Sequence, residues 1–205
     1  MRGLLRGFGI LLLSLLAVAA IPVRAQAPDP AVQQIQNFYA ALTDTMKQGQ
    51  SLGIEGRYKK LKPAVDAVYN FRLAAAYSCG PAWANFSDTD KAALIAAFER
   101  MTVASYARNF ASFGGEQFTV EPTPKTHGED KIVESKIVPA HDPPVPMNYR
   151  MRLDAGTWKI IDVYLNGSIS QIATRRADYA STIAAEGAQG LVRKLNAISD
   201  KLMAP

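Results

Sequence analysis

The sequence predicts an α+β domain in which helices pack on one face of an antiparallel sheet of about four strands. Short segments of alternating polar and apolar residues, separated by Pro and Gly, fill residues 113–170 and indicate an antiparallel meander. The residues on either side of this stretch carry apolar side chains at helical spacing. The chain has 205 residues, which is enough for one domain with a hydrophobic core, and it shows no internal repeat.

Residues 1–27 have the features of a secretory signal peptide. Two arginines form a charged start, residues 9–21 form an apolar run, and residues 23–27 offer a small-residue cleavage site. The apolar run is short for a membrane span, which disfavours an uncleaved anchor. We therefore expect a signal peptide over residues 1–27, a single mature domain over residues 28–205, and export of that domain.

The charge of the mature chain argues against a nucleic-acid partner. The whole sequence has a formal charge of +5, but Arg2, Arg6 and Arg24 lie in the expected signal peptide. Without these three arginines, 20 basic residues face 18 acidic ones. No basic stripe remains of the kind that nucleic-acid binding requires, so no nucleic-acid partner is expected.

The first half of the mature chain is predicted to be helical. The first helix starts at Asp29-Pro30, with Asp29 as its cap and Pro30 in the first helical position. Residues 49–56 are glycine-rich and indicate a break in the helices. A second helix is expected to start near Arg57, and a further one after Pro63.

Helices are also predicted on both sides of the sheet region. Residues 87–90 resemble a capping box, and the helix that they begin should reach about Phe110 and stop at Gly114 and Gly115. After Gly167 another helix follows, with Gly187 as a plausible C-terminal cap. A last helix with one apolar face then completes the chain.

The last two long strands form the clearest hairpin. Residues 147–153 alternate apolar with polar or cationic side chains, and residues 154–157 form a tight turn. Pairing Leu153 with Trp158 places Met151 opposite Ile160, Tyr149 opposite Asp162, and Met147 opposite Tyr164. The resulting apolar face carries large side chains, some of them flexible. Its composition favours ordinary core packing, and a cavity between the sheet and the helices is a hypothesis that these residues permit.

Asp162 falls on this apolar face, where an unpaired carboxylate would cost several kcal/mol. The favoured interpretation is a buried acid that is hydrogen bonded to Tyr149 or to backbone N–H groups. The alternative is a catalytic acid or base.

Other catalytic and metal-binding patterns are weak. Cys79 is the single cysteine, so it cannot form an internal disulfide, and we expect it to be buried. His127 and His141 lie in probable surface loops, unlike a catalytic histidine on a rigid element. No His or Cys spacing indicates a metal site. We therefore predict no catalytic residue, no metal and no cofactor.

Several motifs, in this order along the chain, resemble those of the MlaC family. They are the residues YARNF at 106–110 and FGGEQF at 113–118, PVPMNYRM at 144–151, WKIIDV at 158–163, GSIS at 167–170, and RADY at 176–179. The chain departs from the family at Cys79-Gly80-Pro81, which stands before Trp83, and at residues 68–71. These departures leave the identity of the ligand more open than the fold.

The resemblance implies a fold and a function. Members have helices packed on a four-stranded antiparallel sheet that encloses an apolar pocket for acyl chains. They are periplasmic auxiliary proteins of a phospholipid ABC transport system that maintains outer-membrane lipid asymmetry. We accordingly predict these lipid-binding residues: Met101, Tyr106, Val133, Met147, Tyr149, Met151, Trp158, Ile160 and Tyr164.

The resemblance also implies partners. The expected ligand is a phospholipid, or a hopanoid-like lipid because a hopanoid-associated branch of the family exists. The expected protein partners are an inner-membrane ABC transporter complex and an outer-membrane lipoprotein complex, which a monomer would visit in turn. Two other functions stay open: an enzyme that uses Asp162 on a similar scaffold, and a structural adaptor whose core is filled.

Overall fold

The structure is a computed structural model that describes residues 27–204. Within these residues the chain forms five α-helices, a short 3₁₀ helix at Gly80–Asn85 and seven strands. The helices are α1 (Pro30–Lys47), α2 (Gly49–Val68), α3 (Phe71–Cys79), α4 (Asp88–Asn109) and α5 (Gln171–Met203). The strands are β1 (Gln117–Val120), β2 (Lys125–His127), β3 (Asp130–Val133), β4 (Ser135–Val138), β5 (Val145–Asp154), β6 (Thr157–Leu165) and β7 (Ile169–Ser170). The predicted signal peptide lies outside the described residues, apart from Ala27.

Two predicted helix starts are confirmed by their capping hydrogen bonds. The Asp29 carboxylate accepts a hydrogen bond from the Ala31 N–H at 2.9 Å, and Pro30 is the first residue of α1. The Ser87 hydroxyl accepts a hydrogen bond from the Asp90 N–H at 3.1 Å at the start of α4. These side chains satisfy backbone donors that have no partner within the helix.

The break predicted at residues 49–56 is present but confined to Gly53, because α2 already begins at Gly49 and is kinked at that one residue. The Arg57 guanidinium donates hydrogen bonds to the carbonyl oxygens of Gly49, at 2.7 Å, and Ala107, at 2.8 Å, and so holds the first turns of α2 against α4. Only Gly53 departs from helical geometry, at φ 61°. Pro63 does not start a new helix: it lies on the exposed side of α2, where water can satisfy the carbonyl left without a partner.

The sheet consists of four passes of the chain, as expected, although two of them are interrupted. Strands β3 and β4 pair one after the other with the same edge of β5, and β6 pairs with its other edge. Strand β1 pairs with β4 and β2 pairs with β3, with Pro122 and Pro124 between β1 and β2. Proline cannot donate to a ladder, which explains this interruption.

The β5–β6 hairpin is confirmed near its turn and corrected further along. Ala155 and Gly156 both have positive φ, of 46° and 83°, as a two-residue hairpin loop requires. Leu153 pairs with Trp158 and Met151 with Ile160, but a β-bulge at Ile161 then shifts the register by one residue. The expected partners of Tyr149 and Met147 are therefore wrong: Tyr149 pairs with Val163 instead of Asp162, and Met147 with Leu165 instead of Tyr164.

Helix α5 contains a sharp break at Gly187, where the predicted helix end lies. Its φ of 64° and ψ of −159° belong to a region that is open essentially to glycine alone. The helix resumes at the next residue, so the two predicted helices form one long element with two segments.

The core lies between the helices and one face of the sheet. From the sheet it includes the fully buried side chains of Val133, Tyr149, Met151 and Ile160. Cys79 is also buried, as expected. Among residues 27–204, no helix combines the length and the apolar character that a membrane crossing needs.

Candidate functional site

A cavity of about 140 Å³ lies between α4, the second half of β6 and the first turns of α5. Most of its wall is apolar, and the polar lining residues belong mainly to the two helices. The lining residues are Tyr69, Ala74, Phe98, Thr102, Ser105, Tyr106, Asn109, Phe110, Met147, Ile161, Asp162, Val163, Leu165, Gln171, Ile172 and Arg175.

The β-bulge in β6 creates the sheet side of this wall. Before the bulge, Trp158 and Ile160 face the helices; after it, Ile161, Val163 and Leu165 line the cavity. Alternate residues of a strand point to the same face, so one inserted residue changes which set faces inward. The helical side has the corresponding helical spacing: α4 contributes residues 98, 102, 105, 106 and 109, and residue 110 follows directly after its end.

Two tyrosines on the wall satisfy each other's hydroxyl groups. The hydroxyls of Tyr69 and Tyr106 are 2.8 Å apart and buried. Burial raises the pKa of Tyr69 to about 12, and it raises the pKa of Tyr106 well above its ordinary value. Both side chains therefore stay neutral and present their rings, so this part of the wall behaves as an apolar surface.

Asp162 is held at the start of α5. One carboxylate oxygen accepts hydrogen bonds from the backbone N–H groups of Val163, at 2.7 Å, and Ile172, at 3.0 Å. The other oxygen accepts a hydrogen bond from the Ser170 hydroxyl at 2.5 Å. This arrangement matches the expectation of bonding to backbone N–H groups and not the expectation of a bond to Tyr149. The carboxylate orders the first turn of the helix that forms one side of the cavity.

The polar lining residues mark the rim. Ser105 and Asn109 lie one turn apart on α4, and Gln171 and Arg175 lie one turn apart on α5. All four are at least partly exposed, whereas deeper residues such as Phe98 are buried. The Arg175 guanidinium lies 4.8 Å from the centroid of the Phe98 ring, a cation–π arrangement. The cavity therefore combines an apolar interior with a polar, cationic rim.

The structure brings together some of the nine residues predicted to bind lipid. Tyr106 and Met147 line the cavity. The fully or almost fully buried members lie in the adjoining core and not on the cavity wall: Met101, Val133, Tyr149, Met151 and Ile160. Tyr149 contacts the wall indirectly, because its hydroxyl donates to the Met147 sulfur at 3.0 Å.

The remaining two predicted residues lie elsewhere. Trp158 is half-buried near the hairpin turn, and the Lys131 ammonium lies 4.5 Å from the centroid of its ring. Tyr164 lines a separate pocket, together with Arg150 and Arg176, outside the cavity. The register shift at Ile161 explains the position of Tyr164, because it turns this side chain to the face opposite Val163.

The prediction missed the residues of β6 beyond the bulge and the polar residues of the rim. The doublet Ile160-Ile161 was a usable signal, since two adjacent apolar residues interrupt the alternation of the strand. The position of Arg175 had no comparable signal, because it depends on how α5 packs against Phe98 of α4.

The Cys79 thiol and the possible metal ligands of the described residues were the other candidates for a reactive centre. Burial raises the pKa of the Cys79 thiol to about 11, which keeps it protonated and poorly nucleophilic. Within the described part of the chain, no three His, Cys, Asp or Glu side chains cluster in a way that could hold a metal ion.

These features define an α+β protein with an apolar cavity between its sheet and its helices. The chain belongs to the MlaC family: the family model described as MlaC protein matches residues 36–197. A solved structure of similar fold is the phospholipid-binding protein from Ralstonia solanacearum in complex with a phospholipid. That protein is 18% identical, with a TM-score of 0.74, and the match covers 86% of this chain and 100% of the other. The resemblance seen in the sequence and the predicted fold class are thus confirmed.

Proposed function

We propose that this protein is a lipid carrier that holds an acyl chain in the cavity and the headgroup at the rim. The observation that carries the proposal is the apolar cavity between α4, β6 and α5 with its polar rim. Membership of the MlaC family supports it, as does the phospholipid in the Ralstonia solanacearum protein. The ligand that we propose is a phospholipid.

Simple energetics fit a carrier. Each buried methylene contributes about 0.8 kcal/mol, so an acyl chain is held by a dry wall without polar contacts. Insertion of the same acyl chain into a membrane contributes nearly the same free energy of burial. Transfer between protein and membrane is then close to neutral, and its direction has to come from the partners at each end.

The cavity must widen to accept a lipid. A volume of about 140 Å³ is close to the ~150 Å³ cavity that holds a single benzene molecule in another protein. An acyl chain is much larger than benzene. The Met147 side chain is unbranched and adaptable, and the first segment of α5 is separated from the rest of the helix by the break at Gly187. These two elements of the wall are the ones that we expect to move.

A binding role accounts for the polar groups on the wall better than catalysis does. The hydroxyls of Tyr69 and Tyr106 bond to each other, and the Asp162 carboxylate caps α5. No nucleophile and base stand together among the described lining residues. We therefore propose a carrier and not an enzyme that uses Asp162.

The proposal includes a location and partners. We propose that residues 1–27 direct export and that the mature monomer works in the periplasm. There it would exchange lipid with an inner-membrane ABC transporter complex and an outer-membrane lipoprotein complex. Family membership supports these assignments.

Mass spectrometry of the purified mature protein tests the central part. The protein is expressed with its own residues 1–27, isolated from the periplasmic fraction and extracted with organic solvent. A phospholipid at a constant ratio to protein is the expected result. Folded protein that carries no lipid, and takes none up from phospholipid vesicles, would contradict lipid binding.

A further inference from the structure

Arg175 is an arginine on the cavity wall that has no carboxylate partner among the described residues, whereas other arginines form ion pairs. Arg100 pairs with Asp200, Arg150 with Asp130, and Arg193 with Glu186. Arg175 instead lies over the Phe98 ring at the cavity rim, and no ion pair or hydrogen bond joins it to another described residue.

No carboxylate of the described residues forms an ion pair with Arg175. Asp162 lines the same cavity, but its oxygens accept hydrogen bonds from Val163, Ser170 and Ile172 at the start of α5 and not from Arg175. Asp178 lies three residues further along α5 and is exposed to solvent. The buried hydroxyls of Tyr69 and Tyr179 are neutral because burial raises the pKa of each. Arg175 is therefore a cation at the rim without an ion-pair partner among the described residues.

The rim is arranged to receive an oxyanion. The guanidinium is planar and presents N–H donors in a fork that matches two phosphate oxygens. Its contact with Phe98 restrains the side chain in this position. Asn109 and Gln171 place two uncharged amides around the same opening, whereas the Ser105 hydroxyl there already donates to the Met101 carbonyl oxygen. The apolar wall begins directly beneath.

We propose that Arg175 binds the phosphate of the ligand, so that affinity depends on the phosphate as well as on the acyl chain. This inference rests on the proposed function and identifies the residue of the lipid site that binds the phosphate. A neutral lipid, such as a hopanoid-like lipid without a phosphate, would fill the apolar wall but leave the guanidinium without an anion. Two lipids with identical acyl chains should therefore differ in affinity when only one of them carries a phosphate.

Soluble short-chain lipids give a direct test, since they separate the phosphate from the tail. The affinity of the mature protein is measured by isothermal titration for dioctanoyl phosphatidylglycerol and for dioctanoylglycerol. The wild-type protein is expected to bind the phosphatidylglycerol about tenfold more tightly, the size of one charge-assisted hydrogen-bonded contact. Equal affinities would overturn the assignment of Arg175 while leaving lipid binding intact.

Three variants test whether Arg175 causes the preference for phosphatidylglycerol over dioctanoylglycerol. Arg175→Gln should lose about tenfold in affinity for phosphatidylglycerol and little for dioctanoylglycerol. Arg175→Lys retains the charge without the planar fork of N–H donors. Its affinity for phosphatidylglycerol should lie between those of the wild type and Arg175→Gln. Arg193→Gln, on an exposed part of the same helix, is the control and should change neither affinity. A loss for both lipids in Arg175→Gln would indicate a packing role and overturn the proposal.

Two further ligands identify the source of the anion. Inorganic phosphate should bind far more weakly than phosphatidylglycerol, and octanoate should bind more weakly as well. Tight binding of inorganic phosphate would mean a free-anion site, and equally tight binding of octanoate would mean a fatty-acid site; either result overturns the proposal. If no lipid binds the wild-type protein at all, the proposed function itself fails, and the inference fails with it.

Discussion

Arg150 and Arg152, on one side of the sheet, differ in one respect from Arg175, on the other side. Arg150 and Arg152 project from the face opposite Tyr149 and Met151, and both bond to the buried Asp130 carboxylate, at 2.5 and 2.6 Å. Arg175 lies at the cavity rim and forms no ion pair with a carboxylate of the described residues. Arg150 and Arg152, which form ion pairs with Asp130, stabilise the fold. Arg175, which forms no ion pair within the described chain, can bind an anionic group of a ligand, as proposed above.

The paired group joins several elements. Asp130 belongs to β3, both arginines belong to β5, and Arg152 also donates to the Tyr77 hydroxyl of α3 at 2.9 Å. Burial alone would raise the pKa of Asp130, but the hydrogen bonds from Arg152 and Arg150 outweigh it and hold the pKa below the ordinary value of 3.8. This carboxylate therefore stays charged and stabilises the sheet.

The largest effect on stability is expected when the Asp130 carboxylate, which binds Arg150 and Arg152, is removed. Asp130→Asn keeps the shape of the side chain but removes the charge that two arginines share. We expect a loss of about 2–4 kcal/mol in the free energy of unfolding, measured by urea denaturation. Glu129→Gln is the matched control: it is an exposed neighbour 4.0 Å from Arg152 and should cost less than about 0.5 kcal/mol. Equal losses in the free energy of unfolding for Asp130→Asn and Glu129→Gln would contradict the claim that the Asp130 ion pairs stabilise the fold.

The same group should make stability depend on pH. Because the pKa of Asp130 is lower in the folded state, its stabilisation is complete above the unfolded pKa and is lost as the pH falls through the folded pKa. Urea denaturation between about pH 5 and pH 3 should show a shallower fall for Asp130→Asn than for the wild type. Other carboxyls with lowered pKa, such as Asp29, act in both proteins and cancel in the difference. Parallel curves would contradict the role given to Asp130.

The smallest effect on stability is expected at the unpaired arginine. Arg175→Gln removes a partly exposed cation–π contact with Phe98, which contributes about 0.5–1 kcal/mol. The thermal unfolding temperature of lipid-free protein should therefore change little, while lipid binding changes strongly. A loss of stability as large as that of Asp130→Asn would mean that Arg175 is a structural residue.

Local signals in the sequence predicted the elements that depend on neighbouring residues. The caps at Asp29 and Ser87 and the two-residue turn at Ala155-Gly156 depend on nearby chemistry, and all three are present. The start of α2 was missed because it depends on Arg57 reaching the carbonyl of Ala107, fifty residues further along the chain.

The cavity was less predictable than the fold. The pairing of Met151 with Ile160 follows from the turn, but the register beyond Ile161 depends on a bulge, and the prediction continued the alternation through the doublet Ile160-Ile161. For this reason Tyr164 was placed on the wrong face. Tyr106 and Met147 were identified, but the rim needs the packing of α5 on α4, which no pattern within a single helix reveals.

The most direct test of the account compares two methionines of β5. Met147 lines the cavity, whereas Met151 is fully buried in the core. Met147→Trp should fill the cavity, so that phospholipid per protein after purification falls sharply while the melting temperature of lipid-free protein barely changes. Met151→Trp should overpack the core and cost about 1–3 kcal/mol. Undiminished lipid in a folded Met147→Trp protein would contradict the claim that lipid occupies this cavity.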